Sequence, residues 1–127
     1  MQGIPEDVYR FLVAHIDSVE QLEVLLLLRA TEETEWVADS LARMLYSHSS
    51  SIARRLDTLH SQGLVTRTGE GYGYGPKTET LRKTISHLAE VYRERRVAVI
   101  TAIASKPMEN VRAFSEAFRF RKKDEED

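Results

Sequence analysis

The sequence has no cysteine, three prolines, one tryptophan and no apolar run long enough to cross a bilayer. Without thiols there are no disulfides, no thiolate metal ligands and no cysteine nucleophile, and the chain suits a reducing compartment. The longest apolar run, Val24–Leu28, falls far short of the roughly 20 residues a membrane helix needs. The start, "MQGIPEDVYRF", is acidic where a secretory leader is basic, so a cytoplasmic protein is expected. The prolines, Pro5, Pro76 and Pro107, stand at expected element ends.

What is present is an ordinary globular composition, 42% apolar and 30% charged over 127 residues. That is one domain's length, enough to bury roughly two-thirds of the unfolded surface. The net charge of −2 conceals an asymmetry. Residues 1–62 carry 5 Lys/Arg against 10 Asp/Glu, residues 63–123 carry 13 against 6, and Asp124–Asp127 is wholly acidic. A basic second part suits a local anionic partner better than the total does.

Periodicity predicts helices over most of the chain. A first covers about Glu6–His15, with Val8, Phe11, Leu12 and Ile16 on one side. A second opens in "DSVEQLEVLLLLRA", where Ser18 can cap it and Gln21 stands at capping-box spacing (Asp17 with Glu20 is an equal pair). It carries more leucine than one face needs, which predicts burial on two sides. Leu41, Ala42 and Leu45 make a short face, and Ile52, Leu56 and Leu59 make another that Gly63 stops. The period then changes to alternation: Leu64–Thr68 and Tyr72–Tyr74 read as a hairpin turning at Gly69–Glu70–Gly71. From Glu79 to Ser105 nothing breaks a helix, and one unbroken helix of these 27 residues would span about 40 Å. Its end, Val97–Ala104, is apolar almost all round, which predicts a homodimer interface. A last helix is expected near Glu109–Phe120, and "RKKDEED" reads as a solvated end.

The order of these pieces is the informative feature. Two short helices packed at a steep angle need a small residue where they touch, here Ala42, and an apolar plug, here Leu45. A tight turn must then return Ile52 to the plug. The segment "WVADSLARMLYSHSSSIARRLDTLHSQGLVTRTGEGYGYGP", about a third of the chain, resembles the winged helix-turn-helix proteins, most specifically in the Leu45–Ile52–Leu56–Leu59–Gly63–Leu64–Val65 register. The flanking helices give it a layout similar to that of MarR-type bacterial regulators. The tip "TGEGYGYGP" lacks the Asp-x-Arg-Asp element of those wings, and Val37 stands where a Ser or Thr cap is common. "HIDSVEQLEVLLLLRA" with "FSEAFRFRK" also looks like a group of small bacterial winged-helix proteins with no clear assigned role.

The resemblance implies a mainly α fold with a small β-hairpin. Residues 1–30 would be N-terminal helices, 31–78 the winged helix-turn-helix, 79–120 a long helix and a short final helix forming a homodimer, and 121–127 a charged tail. It implies a transcriptional regulator binding double-stranded DNA, with a recognition helix over about 49–62 in the major groove. At least one of Ser49, Ser50 and Ser51 is expected to touch DNA, and Ser49 and Ser50 are short enough to let the helix end approach a phosphate. Arg54 is positioned for a bidentate contact to guanine, while Arg55, Arg67 and Lys77 would reach backbone phosphates. Asp57 would repel phosphate unless an arginine pairs with it.

Other readings stand beside this one. The serines of "YSHSSSIARRL" could simply cap a helix, and His48 could share that role. Ser–His catalysis needs an aimed imidazole and an orienting acid, which adjacent residues rarely achieve, so no enzyme is expected. Phosphorylation of these serines would oppose DNA binding. His15, His48, His60 and His87 show no ligand spacing, so neither a metal site nor a cofactor is expected. Tyr72 and Tyr74 share a strand face and read first as packing residues, second as stacking ones. Arg93–Arg96 reads as a solvated face paired with Glu90 or Glu94. A winged-helix module that binds protein, not DNA, is the alternative, given few basic residues on the recognition helix and an acidic first half. No effector ligand can be named, and no membrane association is expected.

Overall fold

The computed structural model describes residues 3–105. Pro5 precedes the first helix, α1 (Glu6–His15), whose Val8, Phe11 and Leu12 are buried. The second, α2 (Val19–Ala30), starts at the expected cap: the Gln21 backbone N–H donates to Ser18 Oγ at 3.1 Å. The Gln21 side chain is itself buried and satisfied, accepting from the Asp17 N–H at 2.9 Å and donating to the His15 carbonyl at 2.8 Å. Leu22, Val24, Leu25 and Leu28 of α2 are fully buried, and the helix packs on both the helix Ser49–Ser61 and the strand Gly71–Tyr74.

Two shorter helices follow, α3 (Ala38–Met44) and α4 (Ser49–Ser61), packed on each other. Then come β1 (Val65–Thr68) and β2 (Gly71–Tyr74), an antiparallel hairpin in which Val65 pairs with Tyr74 and Thr68 with Gly71. Its turn is two residues, Gly69 and Glu70, and Gly69 supplies the positive φ of 62° that such turns require. A one-residue bridge adds to the sheet. Trp36 and Tyr72 exchange both backbone hydrogen bonds at 2.8 Å, tying the segment before α3 to β2. The indole N–H of Trp36 donates to Thr31 Oγ1 at 2.9 Å, which fixes the same segment to the end of α2.

The last long helix, α5 (Glu79–Glu94), is capped by Thr78 and packs on α1. His87 Nδ1 lies 2.9 Å from Asp7 Oδ2 across that contact, and this hydrogen bond lowers the Asp7 carboxyl from its ordinary value. The expected unbroken helix to Ser105 is not found. Arg95 leaves the helical conformation (φ −134°, ψ 52°), and residues 96–105 form a separate helical segment. The break re-aims the apolar run, so that Val99, Ala102 and Ile103 are buried by the chain's own core. Burying a side chain such as Val or Ile is worth roughly 1.5–3 kcal/mol. The few backbone hydrogen bonds given up at one break are worth about 0.5–1.5 kcal/mol each, so burial wins. Arg96 completes the turn, 3.5 Å from Glu23 and over the Tyr92 ring at 5.0 Å, in place of the expected pairing with Glu90 or Glu94. The expected final helix, 109–120, and the tail lie outside the described residues.

Two helix ends share one geometry. After α4, Leu64 N–H bonds the Leu59 carbonyl and Gly63 N–H the His60 carbonyl, with Gly63 at φ 76°. After α3, Ser47 N–H bonds the Ala42 carbonyl and Tyr46 N–H the Arg43 carbonyl, with Tyr46 at φ 53°. Both are Schellman stops, which place one residue in the left-handed region. Glycine takes it freely, whereas a residue with a Cβ loses about 1–2 kcal/mol there. Opposite effects are therefore expected from two substitutions. Gly63→Ala should lower stability by roughly 1–2 kcal/mol. Tyr46→Gly should raise it by roughly 0.5–1 kcal/mol, the relieved strain less the greater freedom of an unfolded glycine. Urea denaturation midpoints of both variants against wild type measure the two signs.

Candidate nucleic-acid interface

The site is built on the α3–turn–α4 unit. Leu41 and Ala42 of α3 are buried, and Ile52, Leu56 and Leu59 of α4 are fully so. This burial turns Ser49, Ser50, Ala53, Arg54, Asp57 and His60 to the surface. α4 begins at His48, which has extended backbone but gives no side-chain cap, and no acid stands in the first turn. The expected serine or histidine cap is thus not formed, and the first amides of α4 have no side-chain acceptor at the cap position.

Two of the serines are engaged elsewhere. Ser47 Oγ donates to Glu20 Oε2 at 2.5 Å, Ser51 Oγ donates to Glu20 Oε1, and Arg55 Nε donates to the same oxygen at 3.2 Å. Partial burial pushes the Glu20 carboxyl up, but the three hydrogen bonds and the Arg55 charge outweigh it and hold the group below its ordinary value. Glu20 lies in the first turn of α2, so this cluster joins α2, the turn and α4 through one carboxylate.

The seven residues expected from sequence therefore divide. Ser49, Ser50 and Arg54 are exposed, and Arg54 makes no hydrogen bond or ion pair among the described residues. Ser51 and Arg55 face Glu20 and fasten the helix. Arg67 lies 4.0 Å from Asp57, donates to the Gly69 carbonyl at 3.1 Å and sits 5.6 Å from the Tyr72 ring centre. The stem of Lys77 crosses Gly63, where an added Cβ would fall 2.8 Å from Lys77 Cδ. Lys77, Arg67, His60, Ser61 and Thr66 line an open notch of about 470 Å³ between the end of α4 and the hairpin. Tyr72 and Tyr74 are buried, as packing residues are; Tyr72 meets His60 edge-on and Tyr74 lies under Arg82 of α5.

Charge along the surface is uneven. Ser40 to Leu56 contains no acidic residue, the longest such interval in a chain with 20 Asp/Glu, and it holds Arg43, His48, Arg54 and Arg55. The hairpin side differs: Glu70 is in its turn, and Glu35 lies against Gly71. The apolar run at 97–104, the sequence basis for a homodimer through 79–120, is largely accommodated within one chain, leaving Val97 77% exposed. Among the described residues no three acidic or histidine side chains gather to hold a metal ion, and no helix is long and apolar enough to cross a membrane.

Two residues of the site escaped the sequence reading. Glu20 was legible only as one of two capping candidates, because its partners lie 27 to 35 positions away. Tyr46 carries no local signal, because a tyrosine has no left-handed signature. No protein family, curated protein or solved structure matches the chain.

Replacing Glu20 should expose the strength of the cluster. Because the folded carboxyl titrates below its ordinary value, its contribution is complete above that value and fades as pH falls. Glu20→Gln should be less stable than wild type by about 1 kcal/mol at neutral pH, as expected for a partly exposed charge-assisted cluster. The difference should shrink as pH drops below the ordinary glutamate range. Urea titrations of both proteins at pH 7 and at acid pH measure it; a constant difference would separate Glu20 from this role.

Proposed function

We propose that this chain is a winged helix-turn-helix regulator of transcription that binds double-stranded DNA with α4 in the major groove. The observation that carries the reading is the entry of α4: exposed Ser49 and Ser50, an Arg54 unpaired among the described residues, and no acid between Ser40 and Leu56. A helix that reads a groove needs small polar and basic side chains at its N-terminal end, and an open N-terminus favours phosphate. The element order supports it as well. A bridge at Trp36, two short packed helices and a hairpin follow a central helix, as a winged unit requires.

In this reading Arg54 reads a base, and Lys77 and Arg67 approach phosphates from the notch beside the hairpin. Ser51 and Arg55 hold α4 at its angle through Glu20. The proposal extends to a cytoplasmic homodimer through 79–120, since two-fold half-sites are the usual partner of such a unit. A second reading, a winged-helix module that binds protein, draws on the exposed Val37 and Met44 at the two ends of α3 and on Asp57 and Glu70.

Selection of duplexes from a random pool tests the first reading. A bound consensus with two-fold symmetry is the expected result. Arg54→Ala should then weaken the consensus about tenfold or more and relax one position, the worth of a bidentate base contact. Lys77→Ala should weaken all duplexes alike and reduce the salt slope by about one phosphate contact. Arg55→Ala should lower stability more than discrimination. Absence of any shifted duplex at about 50 mM salt would favour the protein-binding module.

A further inference from the structure

Tyr46 has the most exposed large apolar side chain among the described residues, at 98%, and it stands in the left-handed region at φ 53°. Its side chain makes no hydrogen bond, ring contact or ion pair among those residues. The stop after α4 uses glycine for the same backbone conformation. Among the described residues the phenol thus gains no such contact, and the backbone bears its strain. Strain that no described residue returns points to a contact with a partner.

The surroundings specify that contact. The ring stands at the entry of α4, in sequence between Met44, which is 54% exposed, and the exposed His48, Ser49 and Ser50. Arg43 and Arg54 are the nearby exposed cations along the chain, and Asp39 and Asp57 bound the interval without entering it. An aromatic face ending in a hydroxyl, on an acid-free stretch of chain beside a carboxylate, Glu20, that is already held by Ser47, Ser51 and Arg55, matches a sugar–phosphate backbone: the O–H donates to a phosphate oxygen and the ring covers the sugar. We propose that Tyr46 is a backbone contact of the DNA-binding surface, one that sets the docking of α4 and reads no base. The proposal rests on the DNA-binding reading above. A protein surface would receive the ring in a pocket instead.

The test uses substitutions that suit the backbone better than tyrosine does. Tyr46→Gly and Tyr46→Asn, in the full chain, are compared with wild type by thermal melting and by fluorescence anisotropy on a selected duplex and a scrambled one. Both variants should melt no lower than wild type. Both should bind both duplexes about tenfold more weakly, the loss of one hydrogen bond to a charged group, with the ratio between duplexes unchanged. Wild-type affinity in either variant overturns the inference and leaves the DNA reading standing. So does a lower melting temperature in the glycine variant, which makes the residue structural, or a loss confined to the selected duplex, which makes it a base reader. If wild type itself binds no duplex, the DNA reading fails and this inference fails with it.

Discussion

One carboxylate sets the geometry of the exposed helix. Glu20 receives the hydroxyls of Ser47 and Ser51 and the guanidinium of Arg55, so the beginning of α2, the turn and the first half of α4 meet at a single charge. The apolar contacts of Ile52, Leu56 and Leu59 press α4 onto the core, and apolar burial has no direction of its own. A directed, charge-assisted cluster adds one. Burial of the apolar stripe turns Ser49, Ser50 and Arg54 to the surface, and the cluster ties the helix that carries them to α2. The same cluster explains why a stretch so rich in hydroxyls presents only some of them outward.

The core around this point is organised by α2, which meets α4 on one side and the hairpin on another. That position accounts for its surplus of leucine. The hairpin is held by more than its two strands. The bridge between Trp36 and Tyr72 and the contact of Arg82 with Tyr74 fix it to the start of α3 and to α5. The edge of the surface that carries Arg67 and Lys77 is therefore set by the core behind it.

Periodicity and capping chemistry made most elements legible. Glu6–His15, the Ser18–Gln21 cap, the stripe Ile52–Leu56–Leu59 and the Gly63 stop are local patterns, set by residues a few positions apart. The break at Arg95 was not legible, because no proline or glycine marks it. It arises from what Val99 and Ile103 reach when the helix bends, which is a property of the folded core. The division of the serines was hidden for a related reason. Helical spacing turns Ser51 toward a flank, but only the approach of α2 brings Glu20 to it. The positive φ of Tyr46 had no sequence signal at all, since the pattern that demands it belongs to the hydrogen bonds of the turn.

The lone tryptophan has a practical consequence. Trp36 joins the sheet by its backbone and the end of α2 by its indole N–H, and it is half-buried where the two meet. Its emission therefore acts as an intrinsic optical gauge, with no second indole to blur the signal. Loosening of the hairpin from α2 would wet the indole and redden the spectrum before the helices melt. A single cuvette thus reports how firmly the hairpin is seated against α2.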